Sequence, residues 1–342
     1  MHQEFFMRRC LELAQNGAGF VAPNPMVGCV IVHERKIIGE GFHKKFGESH
    51  AEVNAISSVK DSSLLPYSTL FVNLEPCSHY GKTPPCSDLI IEKKIPEVVI
   101  GCLDSNPLVS GNGVMKLQKA GVTVQTGMLE KESRDLNKRF FTFHEKKRPY
   151  VILKWAQSSD AFIAPQNGER ANISNEYSRT LVHRWRSEEA AIMIGTDTAM
   201  KDNPKLNARL WNNNNPLRIV IDRDLKLPPN LHLFDHSIPT LVITEKSKPH
   251  EDNLNFFQTD FSKDLLKNLL HHLYEKQIQS VLVEGGTKLL QSFIDEKLWD
   301  EARVFIAPHF LSSGIQAPKI SGEKISEENI SGDRLIVIKP HA

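Results

Sequence analysis

Residues 68–86 read STLFVNLEPCSHYGKTPPC, and they follow the tripeptide His50-Ala51-Glu52. Ser68 to Leu74 is a run of strand-forming residues closed by Glu75-Pro76. Ser87 to Lys94 has helical spacing, as does Ser49 to Val59 before it. The reading is therefore helix, strand, turn, helix, with His50, Glu52, Cys77 and Cys86 at the element ends. One imidazole and two thiolates fill three corners of a tetrahedral Zn²⁺ and leave the fourth for water, as in catalytic rather than structural zinc sites. Zinc brings the pKa of such a water down to about 7. Glu52, which is not a ligand in this reading, takes the water proton and hands it to a ring nitrogen and then to a departing amine. Taken singly, His-x-Glu is a common accident and two cysteines are commonly buried small hydrophobes. Their order and context together predict zinc-dependent deamination of an amino-substituted ring.

Working outward, Phe5 to Ala14 has an amphipathic helical pattern, and Met26 to Val32 is a near-continuous apolar run, expected to be covered on both faces. Lys36 to Gly41 should pair back with it. Glu97 to Gly101 and Val122 to Val124 read as strands; Gly113 to Ala120 and Glu130 to Phe143 read as helices. This alternation indicates an α/β domain. All five cysteines fall in the first third: Cys77 and Cys86 as ligands, and Cys10, Cys29 and Cys102 within apolar stretches as core. An odd count is unlike a disulfide framework.

A chain of 342 residues is long for one domain. We divide it into 1–146 and 147–342, at the charged stretch before Pro149, with Glu145 to Arg148 read as a solvated linker. Beyond it, strands are expected at 150–155, 190–195, 217–222, 240–244, 279–284, 302–307 and 334–339, and helices at 175–187, 262–276 and 287–296. The formal net charge of +1 and the scattered Lys and Arg argue against a nucleic-acid surface. No run approaches the length of a membrane span, and the first residues do not form a secretory leader. A cytoplasmic protein is expected.

Two clusters mark the second half. Val281-Leu282-Val283-Glu284-Gly285-Gly286-Thr287 is a strand, a glycine pair and a helix start, where free N–H groups suit a phosphate; the dinucleotide fingerprint G-x-G-x-x-G is absent. Thr196, Thr198, Asp202, Asn203 and Arg209 follow the strand at 191–194, at the edge where α/β sheets bind nucleotides. Either cluster alone could be an ordinary turn.

Pro23-Asn24-Pro25-x-Val27-Gly28, His50-Ala51-Glu52 and Glu75 to Cys86 together resemble the bifunctional riboflavin-biosynthesis deaminase/reductase family, and the resemblance runs through nearly the whole chain. It implies a cytidine-deaminase-like three-layer α/β/α domain followed by a dihydrofolate-reductase-like α/β domain. It implies two reactions. A phosphorylated diaminopyrimidine is deaminated to the uracil, and NADPH then reduces its ribosyl group to ribityl. Carried over by position, Asn24, His43, His79 and Lys82 would hold the pyrimidine and its phosphate. Lys154, Arg170, Arg186, Leu206, Arg209 and Glu284 would face the reductase substrate. Ala156, Asn172, Thr198, Asp202 and the run Gly286, Thr287, Lys288, Leu289, Leu290, Gln291 and Ser292 would line NADPH/NADP⁺. Arg186 and Arg209 are the expected phosphate partners, since the guanidinium fork matches phosphate oxygens. Lys154 and Asp202 could act on the ribose ring oxygen.

The chain departs from family patterns in places. Eight residues separate Cys77 from Cys86, where deaminases usually have two. Ser158-Ser159-Asp160-Ala161 replaces Ser-Leu-Asp-Gly, Asn172-Ile173-Ser174 replaces Trp-Ile-Thr, and Arg170 replaces Ser. One zinc per chain, NADPH, a small phosphorylated pyrimidine and a homo-oligomer, dimer or tetramer, are the expected partners. An RNA-editing deaminase, a chain with one inactive half, and a zinc-storage protein are the competing readings. Low basicity counts against the first, and Glu52 beside an open corner against the last.

Overall fold

The apolar run after Met26 has no polar face to leave in water, and the fold covers it on both sides. The computed structural model describes residues 2–80, 84–106, 110–166, 172–212 and 214–341. Contacts divide the chain into two units, Met1–Lys147 and Arg148–Ala342. In the first, helix α1 (His2–Gln15) leads to strands β1 (Gly28–His33) and β2 (Lys36–Phe42), then α2 (Ala51–Ser58), β3 (Thr69–Leu74), α3 (Cys86–Glu92), β4 (Glu97–Cys102), α4 (Asn112–Lys119), β5 (Thr123–Thr126), α5 (Glu130–Leu136) and α6 (Lys138–Lys146). The sheet order is β2-β1-β3-β4-β5. β1 is antiparallel to both neighbours, and β3, β4 and β5 are parallel.

Alternation along the strands sends side chains to two cores. Cys29, Ile31, Leu70, Val72, Val98 and Ile100 meet Ala55 of α2, Ile90 of α3 and Leu117 of α4. Val30, Val32, Phe71 and Val99 meet Phe6, Met7, Cys10 and Leu13 of α1. The result is three layers. α1 lies so close to β1 that a Cβ on Gly28 would stand 2.0 Å from the Cys10 carbonyl oxygen. The single helix expected over 130–143 is two helices, because Asn137 leaves helical geometry (φ −101°, ψ 24°) and spends its side chain on the backbone of Met26.

The second unit contains β6 (Tyr150–Gln157), β7 (Phe162–Ala164), α7 (Glu176–Glu188), β8 (Ala191–Ile194), α8 (Thr196–Asp202), β9 (Leu217–Ile221), β10 (Thr240–Thr244), β11 (Leu254–Gln258), α9 (Leu265–Glu275), β12 (Ser280–Val283), α10 (Thr287–Asp295), β13 (Glu301–Ile306), β14 (Ile315–Gln316), β15 (Glu323–Ile330) and β16 (Asp333–Lys339). Nine strands run in the order β11-β10-β9-β8-β12-β6-β13-β16-β15. The sheet is parallel through β13, while β16 and β15 are antiparallel. Leu266, Leu269, Leu270 and Leu273 of α9 and Leu290 and Phe293 of α10 cover one face. On the other, Val182 and Trp185 of α7 and Ala199 of α8 pack on the strands.

The sequence reading missed α8, β7, β11, β14 and β15. β15 is mostly exposed, with no alternation to betray it. The supposed linker end is also structural: Arg148 forks onto Asp300 at 2.6 and 2.8 Å, and Asp300 accepts the Val151 N–H, fastening the start of β6. No helix among the described residues is long and apolar enough to cross a membrane. Gly28→Ala should cost about 1–3 kcal/mol through overpacking between α1 and β1, read as an earlier denaturant midpoint for the first unit.

Candidate functional site

Three elements end at one point in the first unit. His50 is the N-cap of α2, Cys77 follows the turn after β3, and Cys86 opens α3. His50 Nδ1 lies 3.5 Å from Cys77 Sγ and 3.4 Å from Cys86 Sγ. Usual zinc bond lengths and tetrahedral angles give ligand–ligand edges of about 3.5 Å, so the three atoms fit the ion with one corner left over. The backbone N–H at the start of α3 donates to Cys77 Sγ at 3.3 Å rather than to its own cysteine. The two thiols form one proton-sharing pair. Cys77 is brought down to about 4, first by its hydrogen bond with Cys86, whose own thiol goes up.

Glu52, one helical residue past Ala51, is 3 % exposed. Burial pushes its carboxyl up to about 7, and the Cys77 sulfur adds to the shift. Beside it opens a cavity of about 230 Å³ lined by Asn24, His43, His50, Glu52, Cys77 and His79, among others. His43 Nδ1 bonds to the Ser49 carbonyl at 3.1 Å, which requires a proton there. Nε2 is then the acceptor for Asn24 Nδ2 at 3.1 Å. Burial lowers the pKa of His43, in keeping with this neutral form. His79 is exposed at the cavity wall, whereas Lys82 lies outside the described residues.

Two residues not singled out in the sequence shape this cavity. Asp104 lines it, and burial pushes its carboxyl up to about 7. Glu75 accepts the backbone N–H groups of Asp104, Gly111, Gly113 and Val114 at 2.9–3.2 Å, tying the loop after β4 and the start of α4 to the turn that carries Cys77. The Glu-Pro-Cys sequence hinted at this only as a turn.

In the second unit, Lys154 near the end of β6 and Glu284 just past β12 meet at the carboxyl edge of adjacent parallel strands. Glu284 accepts Arg186 Nε at 2.8 Å and Nη2 at 2.9 Å, and Lys154 Nζ stands 3.7 Å away. Burial alone would raise the Glu284 carboxyl, but Arg186 and Lys154 hold it at about 2. Burial lowers the pKa of Lys154, against the pull of Glu284. Arg186 Nη1 also bonds the Asn207 carbonyl, so its fork is already engaged by protein, unlike the phosphate partner the sequence suggested. Arg209 is exposed, with Nη1 on Asn207 Oδ1.

Gly286 caps α10 with no side-chain bond of its own, and its N–H donates to Thr198 Oγ1 at 3.1 Å. A Cβ on Gly285 would meet Leu289 at 2.8 Å. The bare helix start and the small residues before it fit a phosphate-bearing cofactor. Ala156 lies on β6, Asp202 ends α8, and Asn172 is exposed. Thr287 and Gln291 bond the backbone at Gln316 and Lys319, Ser292 bonds Lys288, and Lys288 is exposed. Leu289 and Leu290 turn into the core under the sheet, leaving only backbone to meet a ligand. The Leu206 side chain is buried with Ile192, Ile194 and Ala199, closing the core beneath α8, so that it too could meet a substrate only through its backbone. Arg170 lies outside the described residues.

Glu284→Gln would leave two buried cations without their anion, a loss of about 3–5 kcal/mol. The native carboxyl is held below its unfolded value, so its contribution is complete above the ordinary glutamate range and fades as pH falls towards about 2. Urea titrations of both proteins across that range should converge at the acid end.

Residues 149–334 match the RibD C-terminal domain, and residues 1–102 match the cytidine and deoxycytidylate deaminase zinc-binding region. The riboflavin biosynthesis protein RibD of Aquifex aeolicus is 39% identical, over 98% of this chain and 97% of its own length. That of Actinobacillus pleuropneumoniae is 40% identical, over 94% and 88%. A crystal structure of a diaminohydroxyphosphoribosylaminopyrimidine deaminase/5-amino-6-(5-phosphoribosylamino)uracil reductase from Thermotoga maritima superposes with a TM-score of 0.92 at 38% identity, covering 99% of both chains. Acinetobacter baumannii RibD gives 0.90 at 32% identity, covering 100% of this chain and 99% of its own. The chain belongs to the RibD family of riboflavin biosynthesis, in which a zinc deaminase domain is joined to a reductase domain.

Proposed function

We propose that residues 1–146 deaminate 2,5-diamino-6-(5-phosphoribosylamino)pyrimidin-4(3H)-one to 5-amino-6-(5-phosphoribosylamino)uracil, and that residues 147–342 reduce its ribosyl group with NADPH. The observation that carries the first step is the His50–Cys77–Cys86 triangle beside a buried Glu52 on an open cavity. Zinc held there supplies the Lewis acidity that lets water ionise near neutral pH. Glu52 would accept one proton of the attacking water and give it to a ring nitrogen, then take the second from the new hydroxyl and give it to the amino group, which leaves as ammonia. Asn24 and His43 would meet the ring edge, and His79 and Lys82 complete the set of residues that would hold the pyrimidine and its phosphate.

For the second step, NADPH bound in this unit would be the source of the hydride that C1′ takes as the sugar ring opens. Gly286 to Ser292, with Thr198, Asp202, Asn172 and Ala156, would hold it along the carboxyl edge of the sheet. Lys154 and Asp202 would meet the developing charge on the ring oxygen. Arg209 would take the phosphate and Arg170 would face the substrate, while Arg186, occupied by Glu284, orients that carboxylate towards the substrate. The free thiols fit a reducing compartment such as the cytoplasm. We also propose self-association.

Glu52→Gln should lower ammonia release by at least about 10²-fold with zinc content unchanged, while NADPH oxidation on the uracil intermediate continues at the wild-type rate. Loss of that oxidation, or full ammonia release, would count against the assignment. Sedimentation equilibrium should give a mass above the 38.7 kDa of one chain.

A further inference from the structure

The edge of the deaminase cavity formed by Asn24 comes from a segment that no strand holds. Pro23 and Pro25 have no N–H to donate, and β1 begins only at Gly28. Yet both backbone groups of Met26 are bonded. Its N–H donates to Asn137 Oδ1 at 2.8 Å, and its carbonyl accepts Asn137 Nδ2 at 2.9 Å and Asn73 Nδ2 at 3.1 Å. Asn73 Oδ1 in turn accepts the Gly28 N–H at 2.8 Å. Asn73, the last residue but one of β3, is fully buried, and Asn137 is 3 % exposed. Two carboxamides thus do for this segment what a neighbouring strand would do, imitating the paired donor and acceptor of a peptide group.

The clamp stands next to the reacting end of the cavity. Asn24 is two residues before Met26, and its amide nitrogen is fixed by His43, whose own N–H donates to the carbonyl of Val27 at 2.9 Å. Asn137 is presented by the break between α5 and α6, and Phe140, one turn further along α6, forms part of the cavity wall. A helix would otherwise run through residue 137, so the break has the effect of delivering one amide to Met26.

We propose that Asn137, with Asn73, is a positioning residue for deamination: it acts through Met26 to set the Asn24–His43 edge against the pyrimidine ring. The proposal rests on the assignment of Asn24 and His43 to the ring edge made above. It places a determinant of substrate binding 111 residues from the segment it orients.

The experiment is a double-mutant cycle on the full-length zinc-loaded protein, following ammonia release from the diaminopyrimidine. Asn137→Ala should raise KM roughly tenfold with kcat within about threefold, as displacement of a binding group does. Zinc content and NADPH oxidation on the uracil intermediate should be unchanged. In an Asn24→Ala background, Asn137→Ala should add nothing further, because the group it orients is gone. Multiplicative effects, or a wild-type KM in Asn137→Ala or in Asn24→Ala, would overturn the proposal. Should Asn137→Ala not fold, Asn137→Asp, which keeps the acceptor for Met26 N–H and loses the donor to its carbonyl, must show the same pattern. A wild-type protein that releases no ammonia defeats the functional assignment instead. The crystal structure of the Asn137 variant then decides, by whether residues 23–27 leave their place.

Discussion

An imidazole nitrogen can stand within 3.5 Å of two cysteine sulfurs from separate elements only if the backbone brings all three there. Here the carboxyl end of β3 and the starts of α2 and α3 converge, and each contributes one ligand. Both helices pack through Ala55 and Ile90 on the same core as Val72 and Ile100. The ligand triangle is therefore as rigid as that core. Glu52 inherits its position from the same helix start as His50, which is how its carboxylate is held dry beside the metal corner.

The second unit solves a different electrostatic problem. Lys154, Arg186 and Glu284 are all largely buried, and their charges sum to a single positive one. The bidentate pairing of Arg186 with Glu284 removes most of the cost of burying them. The surplus charge is left on Lys154, the more loosely held partner. An anionic or electron-rich group arriving at the carboxyl edge of β6 and β12 meets that surplus rather than a neutralised pair.

Much of this could be read from residues in order. His50, Glu52, Cys77 and Cys86 were legible because their chemistry needs specific side chains at element ends, and the two-faced strands were legible because Cys29 to Val32 leave no polar face. β15 was illegible because an edge strand with solvent on both sides needs no apolar alternation, and α8 because seven residues give too little period. The clamping roles of Glu75, Asn73 and Asn137 were hidden for another reason. Each acts on backbone groups of residues remote in sequence, and backbone partners leave no mark on side-chain identity. Arg186 was placed in the right cluster, but its partner Glu284 is 98 residues away, and only folding shows that its fork is taken.

The carboxylate of Glu75 accepts N–H groups from both sides of the loop that follows β4, and the next two residues of its own segment lead directly to a metal ligand. Floor and far wall of the cavity are consequently one mechanical piece. A loop transplanted from a relative to widen substrate range would arrive without its anchor unless the acidic residue and the proline-cysteine turn travelled with it. Evolution of specificity in this pocket is thereby steered towards the mouth, around the exposed side chains of His79 and Phe46.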